Sequence, residues 1–267
     1  MLLKDKVAII TGGAKGMGRS MAVKFAGEGC SVAIADIAVK EAEEAIAEIK
    51  NKGGNGLAIK CDITSGLEVG DAVDKVVKKY GKIDILVNNA GGITGSPPIE
   101  DMTEEEWDRA FGLNLKGDFF FCKYVVPHMK KAKYGKIINI SSIGAVQPPA
   151  HAINYNTAKA GVIGFTLDLA NALAPFNINV NVILPGPART SFYDKSLGSM
   201  PEADKDKFFA SLGNKTPLQR VGTPEDLAGA ALFLASELSA WITGETLHVA
   251  GGLPALLAPG PPMLPKK

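Results

Sequence analysis

The sequence predicts a doubly wound α/β fold in a single domain, a parallel β-sheet flanked by helices on both faces. Short runs rich in Val and Ile recur at 7–11, 31–36, 56–61, 83–87, 136–141, 177–184 and 245–249, each apolar on both faces as in a sheet buried between helices. Amphipathic stretches separate most of them, so strand and helix alternate along the chain. A length of 267 residues suits one large unit of this kind, and no linker or internal repeat divides it.

The elements follow in order. The first strand runs into a glycine-rich turn and a helix over about 16–28. In 39–50, Ala42, Ile46 and Ile49 fall at helical spacing while Lys40, Glu41, Glu44 and Glu48 take the solvent face. Thr103 with Glu106 is a capping-box pattern that opens a long helix predicted through about 130, and Thr223-Pro224-Glu225-Asp226 opens another. Between 185 and 223 there is no strand signal, only Pro/Gly turns and scattered apolar residues, among them Phe192, Tyr193, Phe208 and Phe209. That marks 187–215 as a lid or binding loop. Five of the 16 prolines fall in a last apolar segment, 253–267, expected either to lie across a neighbouring subunit or to remain an unordered end.

Composition excludes several functions. With 29 Lys+Arg against 28 Asp+Glu there is no charge surplus to attract nucleic acid or an anionic membrane. The longest uncharged stretch, 249–265, is short and broken by prolines, and no signal core opens the chain. Cys30, Cys61 and Cys122 are odd in number and far apart, and His151 and His248 stand isolated. The expectation is a cytoplasmic protein with no metal, no nucleic-acid partner and no membrane partner.

Two motifs carry chemistry. Thr11-Gly12-Gly13-Ala14-Lys15-Gly16-Met17-Gly18 lies at a strand-to-helix turn, where bare backbone amides and a helix N-terminus can receive a pyrophosphate. Asp36 closes the second strand, where a carboxylate accepts from ribose hydroxyls and repels a 2′-phosphate, favouring NAD. Tyr155 and Lys159, four residues apart, share a helix face, so the ammonium is expected to lower the phenol toward a working range for proton transfer.

The spacing T-G-x-x-x-G-x-G, the run Asn88-Asn89-Ala90-Gly91, Asn114, Ser142 thirteen residues before Tyr155, Lys159, and Pro185-Gly186 with Thr190 stand in order. In these the chain resembles the short-chain dehydrogenase/reductase superfamily over about 4–252. The resemblance implies a Rossmann-type domain over 1–252 that binds a nicotinamide dinucleotide. Gly12, Gly16, Met17 and Gly18 would hold its phosphates, and Asp36, Cys61, Asp62 and Ile63 its adenosine end. Asn89, Ala90, Gly91, Pro185, Gly186, Ala188 and Thr190, with Tyr155 and Lys159, would hold the rest. Lys15 argues for NADP, because a base at that position holds the 2′-phosphate in some members. The carboxylate of Asp36 is given more weight, so the expected cofactor is NAD, with NADP the alternative.

The resemblance also implies Asn114, Ser142, Tyr155 and Lys159 as the catalytic set: Tyr155 as general acid/base, Lys159 as its charge partner, Ser142 on the substrate oxygen and Asn114 holding a relay water. Ser142, Ile143, Phe192 and Tyr193 are the candidate substrate contacts. The leading expectation is hydride transfer between NAD(H) and a small-to-medium, fairly apolar secondary alcohol or ketone. The alternative is an NADPH-dependent 3-oxoacyl thioester reductase, for which Lys130, Lys131, Lys133 and Lys136 could dock an acidic carrier. Third comes a dinucleotide sensor without catalysis. A homotetramer is the expected assembly.

Overall fold

The computed structural model describes residues 1–149, 151–193 and 197–254. Strands β1 (Val7–Thr11), β2 (Ser31–Asp36), β3 (Asn55–Lys60), β4 (Ile85–Asn88), β5 (Gly135–Ile140), β6 (Ile178–Pro185) and β7 (Thr246–Val249) form one sheet in the order β3-β2-β1-β4-β5-β6-β7. Every neighbouring pair is parallel. All seven predicted strands form, with ends displaced by at most two residues.

Helices cover both faces: α1 (Gly16–Gly27), α2 (Val39–Asn51), α3 (Gly66–Tyr80), α4 (Glu104–Phe111), α5 (Gly117–Ala132), α6 (Ile153–Leu173), α7 (Glu202–Gly213) and α8 (Pro224–Ala235). The period-2 alternation of a strand divides its side chains between two cores. Ala8 and Ile10 of β1 join Phe25, Ile46 and Leu234 on one face, while Val7 and Ile9 join Val73, Phe121 and Met129 on the other. The strand order reverses direction between β1 and β4, and a crevice opens there beyond the carboxyl ends of the strands.

The long helix predicted from Thr103 is interrupted. Its capping box forms as expected, with Glu106 N–H donating to Thr103 Oγ1 at 3.2 Å and Thr103 N–H to Glu106 Oε2 at 3.0 Å. After α4, however, Gly112–Lys116 makes a π-helical turn before α5 resumes. A widened turn of this sort marks a place where side-chain bonding overrides the regular ladder. In the lid, Ala188 bridges Gly222, a 3₁₀ turn spans Ser191–Tyr193, and α7 follows, with no strand among the described residues.

Of the basic cluster considered for carrier docking, Lys131 and Lys133 stay exposed at the surface, while Lys136 leaves it. Lys136 is 2% exposed and donates to Asn179 Oδ1 at 2.8 Å, and Lys130 Nζ sits 4.3 Å above the Phe176 ring. Burial and stacking are the natural fate of the long aliphatic stems of these side chains. The expectation for the Pro-rich tail falls on 255–267, outside the described residues. No helix among the described residues is long and apolar enough to cross a membrane.

Candidate active site

The turns after β1 and β4 are laced together. Thr11 Oγ1 accepts from the N–H groups of Asn89 and Ala90, both at 2.9 Å, while Asn89 Nδ2 donates to the carbonyls of Thr11 and Gly12 at 2.9 and 3.1 Å. Gly16 takes φ +55°, a left-handed backbone that admits glycine cheaply. A Cβ on Gly18 would run into the Gly12 carbonyl oxygen. The α1 N-terminus carries no side-chain cap and no acidic residue in its first turn, whereas α3, α4 and α8 are capped by Ser65, Thr103 and Thr223. Uncapped amides and the positive end of the helix dipole suit an anion. Asn89 Oδ1 is buried and has no partner among the described residues. The cradle therefore fits a dinucleotide diphosphate.

Asp36 packs against this turn. Its Oδ2 accepts from Ala14 N–H at 3.0 Å and its Oδ1 from Ala38 N–H at 2.9 Å, so the carboxylate is held at the lip of the crevice. Lys15 makes an ion pair with Glu41 at 2.9 Å, and the hydrogen bond from Lys15 holds the Glu41 carboxyl below its ordinary range. The base that argued for a 2′-phosphate thus already faces a carboxylate. Beyond β3, the side chains of Cys61 and Ile63 are taken up by the core, while Asp62 is exposed and closes its own turn by accepting from Thr64 N–H at 2.8 Å. At the end of β6, Gly186 N–H donates to Val249 carbonyl at 3.0 Å; a Cβ there would lie 2.7 Å from Ala250 Cα, so close approach of β7 accounts for this glycine.

The four expected reacting residues converge on the ends of β4 and β5. Asn114 sits within the π-helical turn and is fully buried; its Nδ2 donates to the Gly92 and Ala110 carbonyls at 3.0 Å each, and its Oδ1 accepts from Gly92 N–H at 2.9 Å. Lys159 Nζ donates to the Ile140 carbonyl at 2.8 Å. A Cβ on Gly91 would lie 2.7 Å from Asn114 Oδ1 and 3.0 Å from Lys159 Nζ, which places these two groups on either side of one bare backbone position. Ser142 follows β5, with its Oγ accepting from Gly144 N–H at 3.0 Å. Tyr155, in the first turn of α6, is 9% exposed.

Burial dominates the electrostatics of the site. It pushes the Tyr155 phenol up to about 12, and the Ser142 hydroxyl draws it back. Burial also pulls the Lys159 ammonium down.

Phe192 stands over Tyr155, ring centroids 6.1 Å apart, and begins a ladder that passes through Tyr193 to Phe208 and Phe209 at 5.3 to 5.6 Å steps. A cleft of about 470 Å³ between lid and cradle is lined by Gly16, Thr190, Tyr193, Leu197 and Phe209, so the glycine turn and the lid share one space. Ile143 is half-buried beside Ser142.

Sequence reasoning missed the groups that fix the start of α6. Ala152 N–H donates to Ser96 Oγ at 2.7 Å, and Asn154 Nδ2 reaches the Glu106 carbonyl at 3.3 Å, tying the helix that carries Tyr155 to the loop after β4 and to α4. Only the density of small polar residues at 151–157 hinted at such a clamp.

A family model described as enoyl-(acyl carrier protein) reductase matches residues 12–254. The chain is 38% identical over 253 residues to the 3-oxoacyl-[acyl-carrier-protein] reductase FabG of Thermotoga maritima, covering 95% of this chain and 99% of that one. The crystal structure of levodione reductase matches it with a TM-score of 0.90 at 27% identity, over 96% of this chain and 100% of the other. That of a 3-ketoacyl-(acyl-carrier-protein) reductase from Brucella melitensis, complexed with NADH, matches with a TM-score of 0.84 at 35% identity, over 94% and 98%. Cradle, topology and relatives agree that the chain belongs to the short-chain dehydrogenase/reductase superfamily, oxidoreductases that use nicotinamide cofactors.

Proposed function

We propose that the chain reduces the keto group of a 3-oxoacyl thioester to a secondary alcohol, with NADH as reductant. The observation that carries the chemistry is the convergence of Asn114, Ser142, Tyr155 and Lys159 beside an uncapped phosphate cradle. The substrate class is supported by a relative named 3-oxoacyl-[acyl-carrier-protein] reductase that matches nearly the whole chain. This takes the substrate class from the alternative drawn from sequence, which was NADPH-dependent, and the cofactor from the leading reading, a simple alcohol or ketone with NAD(H). Asp36 at the end of β2 and the Lys15–Glu41 ion pair support NADH over NADPH.

Bound in the cradle, the cofactor would supply hydride to the carbonyl carbon. The amides of Gly12, Gly16, Met17 and Gly18 would hold its diphosphate, Asp36 and Asp62 its adenosine end, and Asn89, Ala90, Gly91, Pro185, Gly186, Ala188 and Thr190 the nicotinamide half. Ser142 Oγ would hydrogen-bond the substrate oxygen and orient it. Tyr155 would give its phenolic proton to that oxygen as the alkoxide forms. Lys159 would stabilise the phenolate left behind, and Asn114 would hold the water through which the proton is replaced.

A second reading, a small-to-medium apolar ketone, is favoured by the aromatic ladder over Tyr155. Steady-state assays with 3-oxoacyl thioesters and with cyclic and aromatic ketones, each with NADH and NADPH, separate the readings. The highest kcat/KM is expected for a thioester with NADH; a cyclic ketone in first place favours the second reading. Tyr155→Phe is expected to cost about 10²- to 10⁴-fold in turnover, and full activity in that variant refutes the mechanism. Bound NADH without turnover on any substrate would revive the sensor.

A further inference from the structure

The helix that carries Tyr155 starts from a strained residue. Ala152, immediately before α6, takes φ +58° and ψ +47°, a left-handed backbone that costs an alanine and not a glycine, and its side chain caps nothing. Of the five non-glycine residues with positive φ among the described residues, it alone lies within three positions of a reacting group. A residue in that region persists where its surroundings over-determine it. Within the turn, Asn156 N–H donates to the Ala152 carbonyl and Asn156 Nδ2 to the His151 carbonyl, both at 2.9 Å, and Asn154 Oδ1 accepts from Tyr155 N–H at 2.8 Å. The Ala152 N–H itself is served from another element, by Ser96 Oγ at 2.7 Å. Ala152 is 2% exposed, so without Ser96 this N–H is left buried and unpaired, and the turn has to shift to find a partner.

The loop that supplies Ser96 is held at its other end by a reacting residue. Gly92 N–H donates to Asn114 Oδ1 at 2.9 Å, and the Gly92 carbonyl accepts from Asn114 Nδ2 at 3.0 Å. The stretch 92–96 is therefore a strap from the Asn114 amide to the start of α6. On its far side the same start packs on the turn after β5: a Cβ on Gly144 would lie 2.5 Å from Asn156 Oδ1, and Gly144 N–H donates to Ser142 Oγ.

We propose that Ser96 is a positioning residue for the reaction: by accepting from Ala152 N–H it holds the left-handed turn from which Tyr155 is presented, in register with Asn114 at the other end of the strap and with Ser142 beside it. The inference rests on the oxidoreductase reading above. The phosphate cradle, built on the turns after β1 and β4, does not depend on this hydrogen bond, so its loss falls on turnover and spares cofactor binding.

Ser96 is exposed, so Ser96→Ala leaves the core intact. In ketone reduction, kcat per NADH-binding site is expected to fall about 3- to 100-fold with NADH affinity kept, the range for a reacting group displaced by up to about 1 Å. In the ligand-free variant, amide hydrogen exchange across 152–156 is expected to rise about two- to tenfold, since the bond that ties this turn to the strap is gone. Ser96→Thr keeps a hydroxyl and is expected to restore kcat. Adding Ala152→Gly to Ser96→Ala is expected to recover most of the loss, because glycine holds a left-handed turn without help. A Ser96→Ala enzyme with undiminished kcat per site overturns the proposal, as does a Ser96→Thr enzyme or a double variant no faster than Ser96→Ala. Loss of NADH binding together with turnover marks a purely structural role and also overturns it. An unsubstituted chain that binds NADH but turns over nothing refutes the underlying oxidoreductase reading instead.

Discussion

Replacing Gly91 by alanine tests the active-site geometry at its tightest point. The added methyl would lie 2.7 Å from Asn114 Oδ1 and 3.0 Å from Lys159 Nζ, against about 3.4 Å for ordinary contact. Neither neighbour yields cheaply. Asn114 is held by three hydrogen bonds to Gly92 and Ala110, and Lys159 Nζ by one to Ile140, each worth about 0.5–1.5 kcal/mol net. Overpacking a tight site costs about 1–3 kcal/mol. If half or more of that falls on the reacting geometry, kcat/KM drops roughly two- to 150-fold, at about 1.4 kcal/mol per decade. The assay is nicotinamide absorbance during ketone reduction, with NADH binding followed separately by fluorescence. Gly229→Ala is the control. It lies within α8, a Cβ there meets nothing within 4 Å, and it is expected to keep full activity and gain up to about 1 kcal/mol of stability. A Gly91→Ala enzyme with undiminished kcat/KM would refute the placement of Asn114 and Lys159 on either side of this position.

Other outcomes are equally open to measurement. Glu41→Gln removes one partner of Lys15, at 2.9 Å, and is expected to raise the NADPH-to-NADH ratio of kcat/KM a few-fold; an unchanged ratio rejects Glu41 as a determinant. Thr223→Ala breaks the α8 capping box, to which Arg220 also contributes through its 2.6 Å contact with Asp226, and is expected to cost about 0.5–2 kcal/mol in denaturant unfolding with activity kept. Burial raises Tyr155, Cys30 and Cys61 to about 12 from ordinary values of 10.0 and 9.0. Raised folded-state values give a stabilisation that is complete below the ordinary values and is lost as pH climbs through the folded ones, so the denaturation midpoint should fall from about pH 9 upward. Exposed Phe119 and Leu167 on α5 and α6 and fully exposed Trp241 before β7 suit subunit contacts, and light scattering is expected to give a tetramer mass.

The strands were legible because burial on both faces leaves apolar runs such as Val7-Ala8-Ile9-Ile10 and Ile85-Leu86-Val87, and the phosphate turn because close backbone approach writes itself as glycine. Tyr155, Lys159 and Ser142 could be found by spacing, since one helix and one strand end fix them. Other features depend on partners far along the chain. Gly112-Leu113-Asn114-Leu115-Lys116 reads equally well as ordinary helix, and its widened turn answers to the Gly92 and Ala110 carbonyls. A lone Asp118 in a helix reads as surface charge until folding buries it, and Lys136 reads as one of a basic cluster until Asn179 receives it. The upward shift of Tyr155 was invisible for the same reason: spacing shows a charge partner but not the dryness of the site.

The π-helical turn between α4 and α5 makes this stretch intolerant of changes in length. Each residue of a regular helix advances about 100° around its axis, so deleting one residue from 112–116 would let the ladder close regularly while rotating Asn114 against Phe121, Val125 and Met129. Either the amide would leave Gly92 or the apolar stripe of α5 would leave the core. Point substitutions in the segment can be absorbed locally, but an insertion or deletion sets catalysis against packing, and engineering of this chain should place its length changes in the lid.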